Sequence, residues 1–590
     1  MANTISVIEK PIPDEVSEKA YVLGVQPDAN GLQALYRLPL GSVRANDTND
    51  LFIVPILIEK YGAKAAFKMF IEANAQSKDS SLADIADRFY RAAAKTIDAT
   101  YTTEFYKYTT SNSPVGTKLD DNATLTCTPS TIASPGTDDY ADLTLFMTHD
   151  VNYTIDPDTL EPVIHAIKDV YGEFSYTPED SFVGVMQMTG WVRRTSTETT
   201  KKVEYRAQKT EGFEPLPEAV RASDNSVRAF VIHAKYAAGY NTAGKLSSIS
   251  GVQPATLRTG SAGSTSISHD GQIAKWREWG NQYCGSSLCD NAFLQLMLEI
   301  KYASLGSVSV MSGCRSYSTS YTAAVSENDV RRIILTPAQA AFFVVVSRVS
   351  LGTETDRSKA TCYDVCDITT IESIEDVTIE GTAYKAINLA AENAFNTVAD
   401  VTNIIPQPWL TGATDDVPGN DGSPYNNTSG KEPFKLQGIE VMLGMYEVAA
   451  DITLYEDAVN GYTVYANRKA AEIASGNAGT NPVTLGTIPK EETAAWKYNA
   501  ELNWDENSQE KYMIPTLFDG GTTTGYRSAT YRDAQSTIGW RQWLAFGYLY
   551  VAGVSGLACA ALSLGLGYGY WFIGARASGT GGNRGEYTAA

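Results

Sequence analysis

Catalysis by a serine or cysteine nucleophile needs an imidazole beside it and an acid to orient that imidazole. The chain offers four histidines for the purpose, His149, His165, His233 and His269, and none lies in a recognisable arrangement of that kind. The pair His269-Asp270 closes a stretch rich in Ser, Thr and Gly that begins at Ala237, and is expected to be solvated turn. Carboxylates are plentiful, but a glycosidase pair is defined by a separation in space that a sequence does not give. Gly520-Gly521 and Gly579-x-Gly581-Gly582 lack a following Lys-Ser/Thr and a place between strand and helix, so they are expected to be turns rather than phosphate loops. Cys284 and Cys289 are separated by four residues and Cys362 and Cys366 by three; neither is the usual zinc spacing, and no histidine adjoins them. The run Glu501 to Asp505 has the oxygen groups that calcium prefers, and surface turn is its simpler reading. The expectation is a protein that is not an enzyme and holds no metal or cofactor.

Charge narrows the partners. With 47 Lys+Arg against 68 Asp+Glu the net charge is −21, and there is no basic cluster beyond pairs such as Arg193-Arg194, Lys201-Lys202 and Arg331-Arg332. Nucleic-acid binding draws its affinity from clustered cations, so no nucleic acid is expected. Charged residues make up 19% of the chain where about 25% is usual. Tyr reaches 34 against 18 Phe. Such a mixture with Ser, Thr, Gly and Asn suits a binding surface, and equally a β-rich protein. Met1 to Lys10 carries no apolar signal core, so synthesis in a cytoplasm is expected, and seven cysteines in so long a chain do not suggest a disulfide framework.

The elements that must position any site are α+β in kind. At about 150 residues per domain the length suggests about four units, and the composition divides into a helical N-terminal attachment region over 1–100, a β-rich region over 101–264 and a ligand-binding region over 265–590. The first forty residues look like an extended lead-in. Leu51 to Ile58 is expected to be a buried strand or the start of a buried helix, and Ala63 to Ala75 a helix. Ser81 caps an amphipathic helix reaching about Ile97, through Leu82, Ile85, Ala86 and Phe89. Strands are expected at Asp142 to Met147, Phe174 to Tyr176, Val183 to Met186, Lys202 to Tyr205, Arg228 to His233, Arg332 to Leu335 and Ala341 to Val346. Asp290 is expected to cap a helix with Phe293, Leu296, Met297, Ile300 and Tyr302 on one side and Gly306 at its end.

From Gln542 to Ala575 the chain runs 34 residues without a charge, long enough for a membrane span. Gly565, Gly567 and Gly569 alternate with Leu566 and Tyr568, which suits irregular strands and suits a helix badly. Stable membrane insertion is therefore not expected, and an anchor over 543–575 is kept as an alternative. Within the stretch a frame of Trp543, Phe546, Gly547, Gly553, Gly556, Leu557, Cys559, Gly565 and Ile573 to Arg576 is interrupted by residues of no consistent type. This pattern resembles the variable region, here about 540–577, of proteins diversified by a retroelement, the group that includes the phage major tropism determinant. In that family error-prone reverse transcription randomises template adenines. The resemblance makes Tyr548, Tyr550, Val551, Val554, Ser555, Ala561, Ser563, Leu564, Tyr568, Tyr570 and Phe572 the candidate variable, ligand-binding positions.

Upstream, Trp276 to Trp279, the helix before Gly306, Ser307 to Cys314 and Phe434 to Tyr446 are similar to landmarks of the C-type-lectin-like domains of phage tail fibres, from about Thr265 onward. Gly444 to Glu447 departs from the Trp-rich stretch that many relatives carry there. The resemblance implies a β-rich N-terminal region followed by a C-terminal C-type-lectin-like domain. It also implies a tail-fibre adhesin of the virion that binds a host-cell surface receptor, protein or glycan, attaches to other tail or baseplate proteins, and forms a homotrimer. The fold is shared with sulfatase-activating enzymes, and fold alone does not assign function. A bacterial surface-displayed binder diversified in the same way is the runner-up reading.

Overall fold

The computed structural model of the chain describes residues 21–27, 33–39, 47–75, 80–108, 110–111, 113–257, 267–491, 493–503, 513–518, 520–533 and 538–588. The expectations on Met1 to Lys10, Thr265, Trp504 and Asp505 lie outside these residues. The described chain is α+β with a predominance of antiparallel sheet.

Within the lead-in, Tyr21–Pro27 and Gln33–Pro39 pair as an antiparallel hairpin. Three helices follow: α1 (Asp47–Tyr61), α2 (Ala63–Asn74) and α3 (Leu82–Ala94). Leu51 to Ile58 is the middle of α1, and although Val54 and Leu57 are buried, Leu51 and Phe52 are exposed. α3 begins as its sequence dictates: Ser81 Oγ accepts from Asp84 N while the Asp84 carboxylate accepts from Ser81 N, and Ile85, Ala86 and Phe89 are buried. A five-stranded sheet (Glu214–Pro215, Trp191–Ser196, Thr200–Arg206, Thr100–Tyr106, Thr117–Asp120) and a four-stranded sheet (Phe230–Ala234, Phe182–Met188, Thr148–Ile155, Pro162–Ile167) complete this half.

After a short helix, α4 (His269–Trp276), α5 (Leu288–Tyr302) runs through the middle of the molecule. Its N-cap is Ser287, and Asp290 completes the capping box three residues on instead of capping it; the helix ends at Ala303, in left-handed conformation at φ 47°, ahead of Gly306. The expected one-sided apolar stripe is also corrected, because every residue from Leu288 to Lys301 is buried. A helix enclosed all round must pair its polar side chains. Lys301 Nζ lies 2.6 Å from Asp421 and 3.1 Å from Asp138, and Glu299 accepts from Gln295.

Two expected strands are turns. Asp142 to Met147 coils, with Phe146 N donating to Leu143 O, and places Leu145, Phe146 and Met147 in the core. Ala341 to Val346 follows a one-turn helix, α6 (Pro337–Ala340), capped by Thr336, and folds Phe342 and Phe343 onto Tyr317 and Tyr321. In both runs apolar residues are consecutive, so burial in a turn satisfies them as well as a ladder does. Phe174 to Tyr176 is likewise irregular.

One hydrophobic core runs from Ile53 through Phe146, Phe293 and Trp543 to Ala577. It is continuous across residues 100 and 264, and bridges such as Ala237 with Arg576 and Val115 with Ser304 join the two halves. A second core, Cys314 to Trp409 with Leu549 and Trp571, belongs to a six-stranded sheet: Tyr321–Thr322, Asn403–Gln407, Arg348–Gly352, Cys366–Ile379, Thr382–Leu389 and Arg332–Leu335. This subdomain is inserted between α5 and the C-terminal eight-stranded sheet, whose long strand Tyr446–Asp457 pairs with Gly539–Ala545.

Candidate ligand-binding face

The uncharged stretch is not a helix, and no helix among the described residues is long and apolar enough to cross a membrane. It consists of Gly539–Ala545, a turn, Ala560–Ala561, an irregular run containing the alternating glycines, and Ile573–Gly574, which lies parallel to Tyr446 and Glu447. The side chains of the frame are interior, while of its glycines Gly553 is exposed and Gly565 half-buried. Trp543, Phe546, Leu557, Cys559, Ile573 and Ala575 are all at or below 2% exposure. Gly547 sits at φ 107°, and a Cβ there would meet Ser555 Oγ at 2.2 Å, so both conformation and space require glycine.

Arg541 and Arg576, the charges that bound the stretch, are fastened to the same long strand. Arg541 pairs with Glu456 at 2.6 Å. Arg576 grips Glu447 through Nε at 2.6 Å and Nη2 at 2.8 Å, and donates to Ala234 O and Glu440 O. Burial by itself would lower the Arg576 guanidinium; the Glu447 carboxylate outweighs this and holds it above its ordinary value. Glu447, at the end of the run Gly444 to Glu447, therefore supplies the anchor for Arg576.

The interrupting residues come to the surface in two groups. Tyr548, Tyr550, Tyr568, Tyr570 and Phe572 form a chain of rings: Tyr548 stacks on Phe572 at 4.4 Å, Tyr570 meets Phe572 edge-on at 4.9 Å, and Tyr568 lies 6.1 Å from Tyr570. Tyr550 is 48% exposed, the others and Leu564 are half-buried, and Tyr446 closes the floor 5.0 Å from Tyr548. Burial pushes the Tyr548 and Tyr568 hydroxyls up, so the ridge is neutral. Val551 and Val554 belong to a separate turn, half-buried beside exposed Ala552 and Gly553. Ser563 is half-buried next to Leu564.

Two candidates are corrected. Ser555 is fully buried against Gly547, and Ala561, 5% exposed, is held between Leu544 and Tyr531 in the sheet. Neither reaches a ligand, and both belong with the frame.

Three participants come from far along the chain. Trp496 and Tyr531, stacked edge-on at 5.3 Å, pack against the same small core as Leu564 and Tyr568. Arg357, from the inserted subdomain, is 1% exposed; its guanidinium lies 4.9 Å from the Tyr550 ring and 5.0 Å from that of Trp571, and donates to the Tyr550 hydroxyl. Nothing in the polar run around Arg357 marks it in the sequence, because its role depends on a contact 193 residues away.

Most of the histidines and cysteines are interior groups; His165 is exposed, and Cys127 and Cys366 are half-buried. His269 is fully buried, bonded to Asp270 and to Ala450 O at 3.1 Å, and so is not the solvated turn that its neighbours suggested. His233 stacks on Phe293 at 4.3 Å with Asp290 at 2.9 Å and Glu218 at 3.5 Å, all three buried. Cys284 and Cys289 are buried thiols pushed up by desolvation, and Cys289 Sγ lies 2.9 Å from Ser287 Oγ. The ligand atoms of Cys127, Asp138 and Asp421 lie within 4.8 Å of one another, as metal ligands would, but the Lys301 ammonium is already bound to both carboxylates. Glu501–Leu502 pairs with Pro515–Leu517.

No known protein family and no curated protein matches the chain.

Proposed function

We propose that the chain is a non-enzymatic receptor-binding protein of a bacteriophage tail. In this reading residues from about 265 onward form a C-type-lectin-like domain, its aromatic ridge recognises a host-cell surface receptor, protein or glycan, and the N-terminal region attaches to other tail or baseplate proteins of a trimeric fibre. One observation carries it: in the stretch from Trp543 to Arg576, every frame residue other than glycine is buried while nine of eleven interrupting positions are exposed or half-buried. Diversified binders need that separation, since a residue that varies must not carry the fold. Large rings provide most of the contact energy at hot spots, and a neutral apolar ridge at the surface is the usual mark of a recognition site.

Replacing Tyr548, Tyr550, Tyr568 and Tyr570 together by Ala is expected to abolish adsorption to host cells while the purified protein unfolds cooperatively. Unchanged adsorption would remove the ridge from the reading. The diversification itself is tested in the genome: a near-repeat of the gene's 3′ end, with adenines at the nine surface codons and beside a reverse transcriptase gene, is expected. A repeat without adenine bias overturns it.

A further inference from the structure

Where the last turn of α5 meets the loop before Phe434, Lys301 and Asp421 face each other at the base of the inserted subdomain. The Lys301 side chain is fully buried and that of Asp421 is 2% exposed; Lys301 Nζ lies 2.6 Å from Asp421 Oδ2 and 3.1 Å from Asp138 Oδ2. The two oxygens of Asp421 are held differently. Gln437 N donates to Oδ1 at 2.6 Å, while Oδ2 accepts from the Tyr302 hydroxyl at 2.9 Å and from the Cys127 thiol at 3.4 Å, besides Lys301. The buried ring of Tyr140, with Phe146 4.9 Å beyond it, closes the site 5.8 Å from the ammonium. Keeping these ions out of water costs desolvation, and joining two of them in an amide removes both charges.

We infer that Lys301 and Asp421 are the partners of an intramolecular isopeptide bond, with Asp138 as the acid–base group of its formation. The step is a condensation. Lys301 passes one ammonium proton to Asp138, the free amine attacks Asp421 Cγ, and the charge that develops on Oδ1 is met by the Gln437 N–H. Asp138 then gives its proton to Oδ2, the nitrogen releases a second proton to the same oxygen, and Oδ2 leaves as water. An ammonium and a carboxylate become one amide and one water, no electrons are exchanged, no co-reactant is needed, and Asp138 ends as it began. The starting state is an ion pair: burial by itself would lower the Lys301 ammonium, but Asp421 above all outweighs this and holds it above its ordinary value. Proton transfer is therefore the uphill part, eased by burial, which raises the Asp138 carboxyl. Position supplies the rest, since groups held in contact by a packed interior react as if at about 10⁵ M or more. The bond joins residues on either side of the inserted subdomain, whose six strands lie between Tyr321 and Gln407, and closes a covalent loop around it, which restricts the unfolded chain. The inference is independent of the aromatic ridge.

Mass spectrometry of the denatured full chain tests it on the unaltered protein. The expected mass is that of the sequence less one water, and the expected tryptic map contains a branched peptide joining Lys301 to Asp421, with no cleavage after Lys301. Lys301→Arg, which keeps the charge and lacks the amine, is expected to restore the missing water whether or not it folds. In a time course of cell-free synthesis, with the folded fraction isolated by size exclusion, Asp138→Asn is expected to slow the appearance of the branched peptide by about 100-fold or more. The parent's mass and peptide map decide the bond even where Asp138→Asn fails to fold. The full sequence mass in the folded parent, a water lost at another site, or a bond that forms in Asp138→Asn at the parent's rate overturns the inference.

Discussion

The central helix α5 and the C-terminal stretch invert the ordinary distribution of polarity. α5 takes Asp290, Glu299 and Lys301 into the interior, where each is matched by a partner from another element. The stretch from Gln542 to Ala575 carries no charge and yet brings a row of aromatic rings to the surface. A buried charge ties its position to its partner, because either residue alone leaves an uncompensated ion. A half-exposed neutral ring has no such dependence. Specificity of fold and freedom of sequence are thus assigned to different parts of the molecule, and every prediction below compares a position of the first kind with one of the second.

The largest effect is expected where the two kinds meet. Arg576 and Glu447, each 3% exposed, fasten the end of the uncharged stretch to the strand beneath it. Glu447→Gln keeps the shape and removes the counter-charge, and should destabilise the fold by about 3–5 kcal/mol in urea unfolding. Adding Arg576→Met should recover part of that loss. A single variant within about 1 kcal/mol of the parent would mean that the anchor does not hold the frame.

The sequence made local elements legible and long-range ones not. Ser81 with Asp84 specifies the start of α3 within four residues, and the glycines at 565, 567 and 569 exclude a helix from their own spacing. Asp290 misled by three positions because Ser287 and Asp290 are both good capping residues and only together form the box. Ala341 to Val346 looks like a strand from its apolar run alone, whereas it turns after α6 and folds its rings inward. The inserted subdomain left no boundary signal, since its core shares Leu549 and Trp571 with the C-terminal stretch. Among the ridge residues, the five aromatics stand out in the sequence; the floor and the cation beneath them, Tyr446 and Arg357, are contributed across contacts that composition does not encode.

Backbone conformation gives the next contrast. Gly547→Ala forces an L side chain to φ 107° and against Ser555 Oγ, with Phe546 beside it already at φ 74°. A loss of about 1–3 kcal/mol is expected, read from the urea midpoint at unchanged slope. Should Gly547→Ala prove neutral, the turn would be adaptable and the division between frame and face would weaken at that point.

Acid should act on the interior and spare the ridge. Burial, with Lys64 nearby, lowers the His149 imidazole to about 3. The unfolded chain takes up this proton near the ordinary 6.5, so the folded state has its full advantage above that pH and loses it as pH falls toward 3. By about pH 5.5 the loss from this one group is about 1.4 kcal/mol. His149→Phe, which keeps a ring against Phe67 at a site where the present rings lie 4.1 Å apart, should remove that component of the acid sensitivity. Adsorption measured between about pH 5.5 and 8 should stay flat, because burial raises the Tyr548 and Tyr568 hydroxyls further from this window. A step in adsorption without a change in folded fraction would show a titrating group on the ridge.

The smallest effects are expected at the ridge itself, and their smallness is the point. Leu564→Ser, Tyr568→Ser and Tyr570→Ser each remove a half-exposed group from a surface whose frame lies below it, and each should move stability by no more than about 0.5–1 kcal/mol. The same exchange at a frame position of similar size, Leu557→Ser at 1% exposure, removes a buried apolar side chain and introduces a hydroxyl into the core, and should cost about 3 kcal/mol or more. Binding should rank them the other way round, with adsorption lost at Tyr568 and Tyr570 and retained in whatever fraction of Leu557→Ser remains folded. If the ridge variants were as destabilising as the frame variant, the rings would be core that happens to reach the surface, and a sequence free to vary there would be incompatible with the fold.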